Sequence, residues 1–577
     1  IQYMKFTLTL FAFLFTVNVY PQDLPKGFTE YEFSIYPEYR TNYYNYILSD
    51  SPDPPPGPVR TMAEWEELQA IQITWSSYKP ILRQIITAAQ QQCNVIILCS
   101  DSNSVKNDLT GNGISLLNVR YIEAPYNTVW CRDYGPWSVY SNDYDTLRII
   151  DWIYNRPRPS DDNSPVYFAQ FLSAPLHQTI QFPNDLINAG GNFMTDGHGT
   201  GFASKLVLIE NPTKTESQID AIMQEYMGIE RYIKMDTLLY DRIHHIDMHM
   251  KLLDEETLLV GQYPVGIADG PRIEQNLNYI LNNFPTAFGK KYKVVRIPMP
   301  PNQYGQYPPQ SNYYTYTNSL IVNKTVIVPI YGLQLDSTAL QIYRDAMPGY
   351  NIVGINSSSM ISAYGTIHCI TKEIGVNEPI FISHSALTDT NTTSPLEVSA
   401  YIKTKSGVQS ASLYYTTDTT VAYSQINMTV SNDTFSAMIP SQPLGTKVYY
   451  YIAATSNNGK NVNKPLTAPE GYIQFIRDVP VNIRSNNSIA ENFRLSQNFP
   501  NPFNPVTKIR YEIPQNSFVR LEVFDIAGRL VAQLVNDFKL KGEYEFEFNA
   551  NIIPSGVYFY RLITPNFSDV KKMVIVK

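Results

Sequence analysis

Between residues 60 and 372, hydrophobic and polar positions recur in one order: an amphipathic helix, a short break and an apolar strand. Apolar residues three or four positions apart predict the helices, and short apolar runs predict the strands. Further strands are predicted at 206–210, 257–260 and 320–328. The five predicted helix and strand pairs are 79–91 with 94–99, 103–112 with 118–123, 216–227 with 231–235, 272–284 with 293–297, and 337–346 with 351–355.

Five similar units in one region favour a closed ring of units over one open sheet. In a ring, the helices lie outside and the connecting loops point towards a shared axis. The polar clusters of the sequence lie at the junctions between units, where such an axis would collect them. A doubly wound parallel sheet is the alternative that the periodicity leaves open. Both belong to the α/β class.

After residue 375 the pattern changes to alternating strands with turn residues between them. Residues 375–480 predict an immunoglobulin-like β-sandwich without its disulfide. A polar linker follows at 481–491, and residues 492–577 again contain only strands and turns. The chain is therefore predicted to end in two all-β sandwich domains.

The N-terminus is typical of an export signal. Met4 and Lys5 precede an apolar run over 6–17, which is too short for a transmembrane helix. We assign 1–22 to this signal, with cleavage between 19 and 23, and 23–59 to a Pro-rich lead-in. No second run is long and apolar enough to span a bilayer. The net charge of −8 removes the electrostatic argument for nucleic acid as a partner.

The four cysteines form no disulfide framework in so long a chain, and they lack the paired spacing of a structural zinc site. Free thiols are favoured, although a Cys93–Cys99 bridge is left open. Cys369 is the candidate nucleophile, because it follows His368 directly in a loop that contains Gly365. A thiol reacts only when a neighbour lowers its pKa or takes its proton. The alternative is a packed, inert cysteine.

Asp133 and Trp130 belong to a polar and aromatic cluster at 130–137. A carboxylate can bind a guanidinium through two parallel hydrogen bonds while the indole covers the apolar stem of the substrate. A turn aspartate between packed tryptophans is the structural alternative. The pair Gly190 and Gly191 allows a close approach of the backbone, for which a tight turn is the simpler explanation.

His244, His245, Asp247 and His249 form the densest histidine cluster of the chain. If this segment is an extended strand, the residues at 245, 247 and 249 point to one side. That arrangement suits a metal ion, and it equally suits general acid–base catalysis by a histidine next to a carboxylate. One of the two adjacent histidines must face away from the site.

Arg156 and Arg158 lie in a loop that two prolines stiffen. If this loop covers the site, the two guanidinium groups would bind a substrate carboxylate. A solvated loop is the alternative. Asn318 begins the predicted strand pair 319–328, where a buried amide would need partners.

Taken together, these clusters resemble the family of agmatine deiminases and bacterial peptidylarginine deiminases over about residues 60–374. The resemblance implies a five-bladed, pseudo-symmetric α/β propeller of the pentein type. It also implies hydrolysis of an arginine guanidinium to citrulline and ammonia through a covalent thiouronium, without a cofactor. We leave a structural cation open. The implied roles are Cys369 as nucleophile, His245 as acid–base, Asp133, Asp247 and Asn318 as guanidinium ligands, and Trp130 as pocket wall.

The loop containing Arg156 and Arg158 resembles the one with which the peptidyl enzymes hold a C-terminal arginine. Peptides or proteins ending in arginine are therefore the expected substrates. An exported agmatine or free-arginine deiminase and an inactive surface-binding protein are the alternatives.

Residues 492–577 resemble the C-terminal sorting domain of type IX secretion, in the motifs at 495–507, 523–528, 556–561 and 571–577. This resemblance implies recognition by the secretion machinery and a protein that is secreted or attached to the outer cell surface.

Overall fold

The computed structural model describes residues 24–46, 51–142, 144–477, 492–515, 517–539, 541–550, 553–565 and 567–577. The predicted export signal at 1–22 and the predicted linker at 481–491 lie outside the described residues. The chain divides into two compact units. The first holds the described residues up to Leu387, together with 397–439 and 449–474, and the second holds 388–396, 440–448 and the described residues from 475 onwards.

Five separate sheets lie between residues 59 and 375, and each contains an antiparallel strand pair next to a parallel one. In sheet order, their strands are Val59–Thr61, Trp137–Ser141, Thr146–Tyr154 and Leu176–Thr179, with Ile187–Asn188 beside the third; Lys372–Gly375, Leu68–Thr74, Asn94–Cys99 and Val119–Glu123; Arg231–Met235, Thr200–Ser204 and Met194–Thr195; Met250–Leu252, Thr257–Gln262 and Lys293–Pro298; and Leu320–Val322, Thr325–Ile330 and Asn351–Asn356.

The helices of this region stand mainly between the strands that pair in parallel, as a parallel connection requires. All five predicted helices are confirmed to within a few residues. The α-helices are Glu30–Thr41, Lys79–Ala89, Ser102–Gly111, Cys131–Tyr134, Pro159–Asp162, Ser164–Leu172, Leu206–Glu210, Glu216–Met227, Gly270–Asn283 and Leu335–Ala346, and the 3₁₀ turns are Tyr43–Asn45, Gly190–Asn192, Ile246–Met248, Ile361–Ala363 and His368–Ile370.

The ends of the region meet in one sheet. Lys372–Gly375, the last strand of the region, pairs antiparallel with Leu68–Thr74, one of its first strands. This pairing brings the chain that follows Cys369 next to the chain that begins the repeats. Segments far apart in sequence can therefore contribute to one site.

One strand prediction was wrong. Residues 206–210 form a short helix, in which the Leu206 N–H donates to the Ser204 hydroxyl (3.2 Å). A short apolar run does not distinguish a buried strand from a buried helix. The predicted strand pair over 319–328 is confirmed as a hairpin, with Asn323 at φ 48° in the turn between its two strands. The helix Glu30–Thr41 was not predicted at all.

From residue 376 onwards the chain contains strands and turns, as predicted, and no helix among its described residues. One sheet contains Phe381–Ser383, Leu396–Lys403, Thr434–Ile439 and Thr429–Ser431; a second contains Ser424–Asn427, Val408–Thr416, Lys447–Ser456 and Asn461–Lys464, with Ile473–Ile476; a third contains Arg494–Leu495, Val506–Ile513 and Gly542–Asn549; and a fourth contains Leu530–Lys539, Ser517–Asp525, Gly556–Thr564 and Phe567–Ile575.

Within the part of the chain that the structure describes, no helix is both long and apolar enough to cross a membrane.

Candidate active site

The thiol of Cys369 lies in the buried 3₁₀ turn His368–Ile370. The first N–H of this turn donates to the Asn318 carbonyl (3.1 Å), and the Cys369 Sγ lies 3.4 Å from Asn318 Oδ1. A Cβ added to Gly365 would lie 3.0 Å from the Cys369 Cβ and 2.6 Å from the Trp130 ring. Glycine at 365 therefore lets the loop pass closely enough to place the thiol against the indole. All four cysteines are free and buried.

Asp133 lies in the short helix Cys131–Tyr134 and accepts a hydrogen bond from the Gly191 N–H (3.0 Å). A Cβ added to Gly191 would lie 2.5 Å from His245 Nδ1 and 3.1 Å from a carboxylate oxygen of both Asp133 and Asp247. Three side chains from two distant parts of the sequence therefore surround one glycine. The Gly190 and Gly191 pair is more than a tight turn, because its backbone forms part of the site.

The histidine cluster does not form a strand. Ile246–Met248 is a 3₁₀ turn, so His245, Asp247 and His249 do not alternate as they would in extended backbone. The predicted geometry of the metal-binding alternative is therefore wrong. Among the described residues, no group of three His, Cys, Asp or Glu could hold a metal ion. Of the two adjacent histidines, His245 lies at the site, 3.6 Å from Asp133 (Nδ1 to Oδ1).

His368 connects the site to a charged group beneath it. Its Nδ1 lies 2.8 Å from Asp247 Oδ2, and its Nε2 lies 3.1 Å from Glu64 Oε2. Lys251 donates to both oxygens of Glu64, at 2.8 Å each. Sequence analysis noted His368 only as the neighbour of the thiol and missed Glu64 and Lys251. Lys251 holds Glu64, Glu64 orients the His368 ring, and His368 in turn orients the Asp247 carboxylate.

Lys26, from the lead-in, is the cation of the site. Its Nζ donates to the Cys369 Sγ (2.9 Å) and lies 3.6 Å from Asp133 Oδ2, and the residue is 1% exposed. Burial alone would lower the pKa of Lys26, but the charges of Asp133, Cys369 and Asp247 outweigh burial and raise it. The ammonium therefore stays protonated. Sequence analysis missed this residue because nothing in its local pattern marks it.

The protonation states follow from burial and from this cation. Burial raises the pKa of the Cys369 thiol to about 12, although Lys26 opposes the shift. Burial and the charge of Lys26 lower the pKa of His245 to about 3, so the imidazole is neutral near pH 7. Burial alone would raise the pKa of Asp247, but Lys26 and the hydrogen bond with His368 hold it well below its usual range. Asp247 is therefore ionised.

His245 is a candidate for proton transfer. Neither of its ring nitrogens has a hydrogen-bond partner among the described residues, and the side chain is fully buried. The Asn318 Nδ2 and the Asp247 Oδ1 are also buried without a hydrogen-bond partner among the described residues. Buried polar atoms without partners are rare, and at a site they are available to a ligand or to water. The Cys369 Sγ lies 3.4 Å from Asn318 Oδ1 and 3.9 Å from Asp247 Oδ2, and Asp247 and His245 both lie against Gly191. A bound substrate could therefore satisfy these atoms together.

Arg156 and Arg158 are both buried, in contrast to the solvated loop considered above. Arg158 binds the carboxylate of Glu32 through two parallel hydrogen bonds, from Nε to Oε1 (2.6 Å) and from Nη2 to Oε2 (3.1 Å). Arg156 donates from Nε to the Lys26 carbonyl (3.2 Å). The pair thus binds a carboxylate and three main-chain carbonyls of the chain's own N-terminal segment, and Arg156 also donates to the Asn155 carbonyl (2.9 Å).

The structure brings most of the sequence-predicted residues into one cluster. Cys369, Asp247, Asp133, Asn318, His245 and Trp130 surround the Lys26 ammonium or its immediate neighbours, and the indole of Trp130 is 0% exposed. Arg156 and Arg158 join this cluster through residues 25–32.

Comparison with known proteins identifies related families for two parts of the chain. The family model of the Porphyromonas-type peptidyl-arginine deiminases matches residues 60–374, more than half of the chain, and the model of a secretion system C-terminal sorting domain matches residues 497–576. A protein from Mycoplasma mycoides named as a candidate agmatine deiminase is 26% identical over 287 residues, which span 44% of this chain and 77% of that protein.

Two solved structures are similar to this chain over about half of its length. A candidate agmatine deiminase superposes with a TM-score of 0.50 and 20% identity, over 56% of this chain and 96% of that one. A candidate arginine deiminase from Porphyromonas gingivalis gives a TM-score of 0.49 and 22% identity, over 55% and 99% of the two chains. Because the family models cover residues 60–374 and 497–576, the chain belongs to the Porphyromonas-type peptidyl-arginine deiminase family and carries a secretion system C-terminal sorting domain.

Proposed function

We propose that the protein hydrolyses the guanidinium of arginine to citrulline and ammonia, with Cys369 as the nucleophile. The observation that carries this proposal is the cation-binding site around the thiol. Asp133 and Asp247 present carboxylates to the position where the Lys26 ammonium lies 2.9 Å from the sulfur. Two carboxylates next to a nucleophile suit a positively charged, electrophilic substrate.

The reaction proceeds in two halves. His245, whose imidazole starts neutral, takes the proton of the Cys369 thiol as the sulfur attacks the guanidinium carbon and forms a tetrahedral adduct, while Asp133 and Asp247 hold the guanidinium nitrogens. His245 gives this proton to the departing nitrogen, which leaves as ammonia, and an S-alkylthiouronium remains. In the second half His245 takes a proton from water as the water oxygen attacks the same carbon. The C–S bond breaks, the proton of the added hydroxyl passes to the sulfur, and citrulline and the thiol are released. His245 then loses its proton to the solvent.

The substrate cation itself helps to activate the thiol. Lys26 already lowers the pKa of Cys369 against the larger effect of burial, and a guanidinium in the same position would act in the same direction. No cofactor takes part in this scheme, and a structural cation elsewhere is compatible with it.

The proposed substrates are peptides or proteins with arginine at the C-terminus. Arg158 supports this specificity because its guanidinium holds the Glu32 carboxylate in the bidentate geometry that an α-carboxylate would need. Agmatine lacks that carboxylate. Agmatine remains the second candidate substrate, because the relatives that match are named as agmatine deiminases.

We also propose that the five sheets are the five blades of a closed α/β propeller. The repeat of antiparallel and parallel pairing supports this arrangement, as does the pairing of Lys372–Gly375 with Leu68–Thr74. For the two all-β regions after residue 375 we propose immunoglobulin-like sandwich domains. The second of them would direct type IX secretion to the medium or the outer cell surface.

Citrulline formation tests the function. The protein is incubated with a peptide ending in arginine, a peptide with internal arginine, and agmatine, and citrulline or carbamoylputrescine is measured by colorimetry. We expect turnover of the first peptide and its loss in Cys369→Ala, whereas the buried-thiol control Cys93→Ala keeps it. Activity that survives Cys369→Ala but not EDTA would replace this mechanism with the metal alternative.

A further inference from the structure

Residues 24–32 occupy the site in which the proposed substrate would bind. Lys26 places its ammonium against the Cys369 sulfur, and both side chains are buried at 1% and 0% exposure. Asp133 is the carboxylate proposed to hold the guanidinium of the substrate. In the structure its Oδ2 lies 3.6 Å from the Lys26 ammonium, which takes the place of that guanidinium. A substrate cannot reach the sulfur while Lys26 remains there.

The main chain of the segment is held by the residues proposed to bind substrate. Trp130 donates from its indole N–H to the Leu24 carbonyl (2.9 Å), and Arg156 donates to the Lys26 carbonyl (3.2 Å). Arg158 donates from Nη2 to the carbonyls of Pro25 (2.8 Å) and Gly27 (3.2 Å). The side chain and the backbone of the segment therefore compete with a peptide substrate for the same groups.

A second anchor lies in the helix that follows. Thr29 and Glu32 form a capping box at the start of the helix Glu30–Thr41, with hydrogen bonds of 3.1 and 2.8 Å between side chain and backbone. The buried Glu32 carboxylate is the bidentate partner of Arg158. The Phe28 ring also covers the Arg156 guanidinium at 4.2 Å. The helix thus fixes Glu32 at the position where a substrate carboxylate would bind.

We propose that residues 24–32 are an intramolecular pseudosubstrate, which keeps the deiminase partly latent because substrate must compete with the segment until the segment is displaced or removed. The inference rests on the proposed function. Lysine suits this role because its ammonium satisfies the two carboxylates but contains no guanidinium carbon for the sulfur to attack. It can therefore stay in contact with the nucleophile without being consumed. The predicted export signal ends before this segment, so signal removal alone would leave the site occupied.

The accessibility of Cys369 tests latency without relying on turnover. The full chain is treated with chloroacetamidine, whose chloromethyl carbon forms a bond to the thiolate as chloride leaves, while its amidinium group mimics the substrate cation. Alkylation is followed by peptide mass spectrometry. The variants are Lys26→Ala, which removes the cation, and Glu32→Gln, which weakens the anchor but keeps Lys26. Glu30→Gln is the matched control, because Glu30 is exposed on the same helix turn.

Alkylation of Cys369 should accelerate about thirtyfold or more in Lys26→Ala, because losing one partner of a buried charge pair weakens an intramolecular complex by at least that factor. Glu32→Gln should give a smaller increase and Glu30→Gln none. The buried Cys93, Cys99 and Cys131 should stay unmodified in every variant, which shows that the fold is intact. The kcat/KM for the arginine peptide should rise in the same order.

Equal alkylation rates and equal kcat/KM in wild type, Lys26→Ala and Glu32→Gln would overturn the pseudosubstrate. Faster alkylation in both variants, without citrulline from any guanidinium substrate, would instead overturn the proposed reaction and leave residues 24–32 as the occupant of a thiol site. The two failures are therefore distinguishable.

Discussion

Gly191→Ala tests whether the cluster around Gly191 is the reacting centre. The new Cβ would lie 2.5 Å from His245 Nδ1 and 3.1 Å from oxygens of Asp133 and Asp247. Ordinary carbon contacts are about 3.5 Å, so the imidazole must move by about 1 Å. All three side chains are buried, which leaves little room for relaxation. A misplacement of about 1 Å can cost about a hundredfold in rate, which corresponds to about 2.7 kcal/mol of transition-state stabilisation.

The assay is kcat for citrulline formation, with the thermal midpoint measured in parallel. Overpacking a core position typically costs about 1–3 kcal/mol of folding stability, so the variant should fold with a lowered midpoint. Gly111→Ala is the matched control, because nothing lies within 4 Å of its added Cβ and its backbone is helical. Wild-type kcat in Gly191→Ala, with an unchanged midpoint, would refute the placement of His245 and the two carboxylates at the reacting centre.

Three further changes test separate parts of the site. In the Lys26→Ala background, Arg158→Ala should raise KM about tenfold or more for a peptide ending in arginine and leave KM for agmatine unchanged, since only the peptide offers a carboxylate for this charge-assisted pair; equal effects on both substrates would contradict the specificity assignment. Burial raises the pKa of the Glu210 carboxyl to about 7, so the fold binds this proton more tightly than the unfolded chain, and stability falls as the pH rises from the unfolded pKa near 4.5 to 7. Glu210→Gln should therefore raise the thermal midpoint more at pH 8 than at pH 5. An equal rise at both pH values would contradict the raised pKa of Glu210. Lys26→Arg places a guanidinium carbon near the sulfur, and this arginine should be converted to citrulline within the same chain, which peptide mass spectrometry would show. The control also carries Cys369→Ala and should keep its arginine. An arginine that stays unmodified in Lys26→Arg itself would contradict the position assigned to the substrate.

The repeat could be predicted where local signals and tertiary packing agree. The helix Glu216–Met227 has the predicted bounds because Thr215 and Gln218 form a capping box and Gly228 ends the helix at φ 65°. Each signal lies within four residues of the helix end. Residues 206–210 had no such signal, and the Ser204 hydroxyl and the neighbouring sheet decided their conformation.

Convergence of the catalytic side chains was predictable only in outline. Polar clusters at the junctions of repeated units suggested a shared site, and the resemblance to a family assigned roles within it. The contact of Gly191 with Asp133, at a separation of 58 positions, depends on how two units pack. The 3₁₀ turn at Ile246–Met248 also needed the structure, because period-two alternation of histidines reads as a strand.

Lys26 could not be found from sequence patterns, because its partners lie far away in the chain. The hydrogen bond to Cys369 spans 343 positions, and the salt bridge to Asp133 crosses the boundary between the lead-in and the repeats. The segment carries no periodicity that would place one of its residues in a core. Only the charge requirement of the site could have suggested that some cation must fill it.

That requirement connects the resting state to the reaction. Asp133 and Asp247 are buried around one thiol, and negative charges at close range repel each other unless a cation lies beside them. In the resting protein Lys26 supplies the charge and holds the pKa of Asp247 low. In the proposed reaction the substrate guanidinium would supply this charge and would add the electrophilic carbon that lysine lacks. If both cations satisfy the same carboxylates, a site that binds arginine also binds the chain's own lysine. The strength of that internal binding would then set how much substrate is needed to open the site.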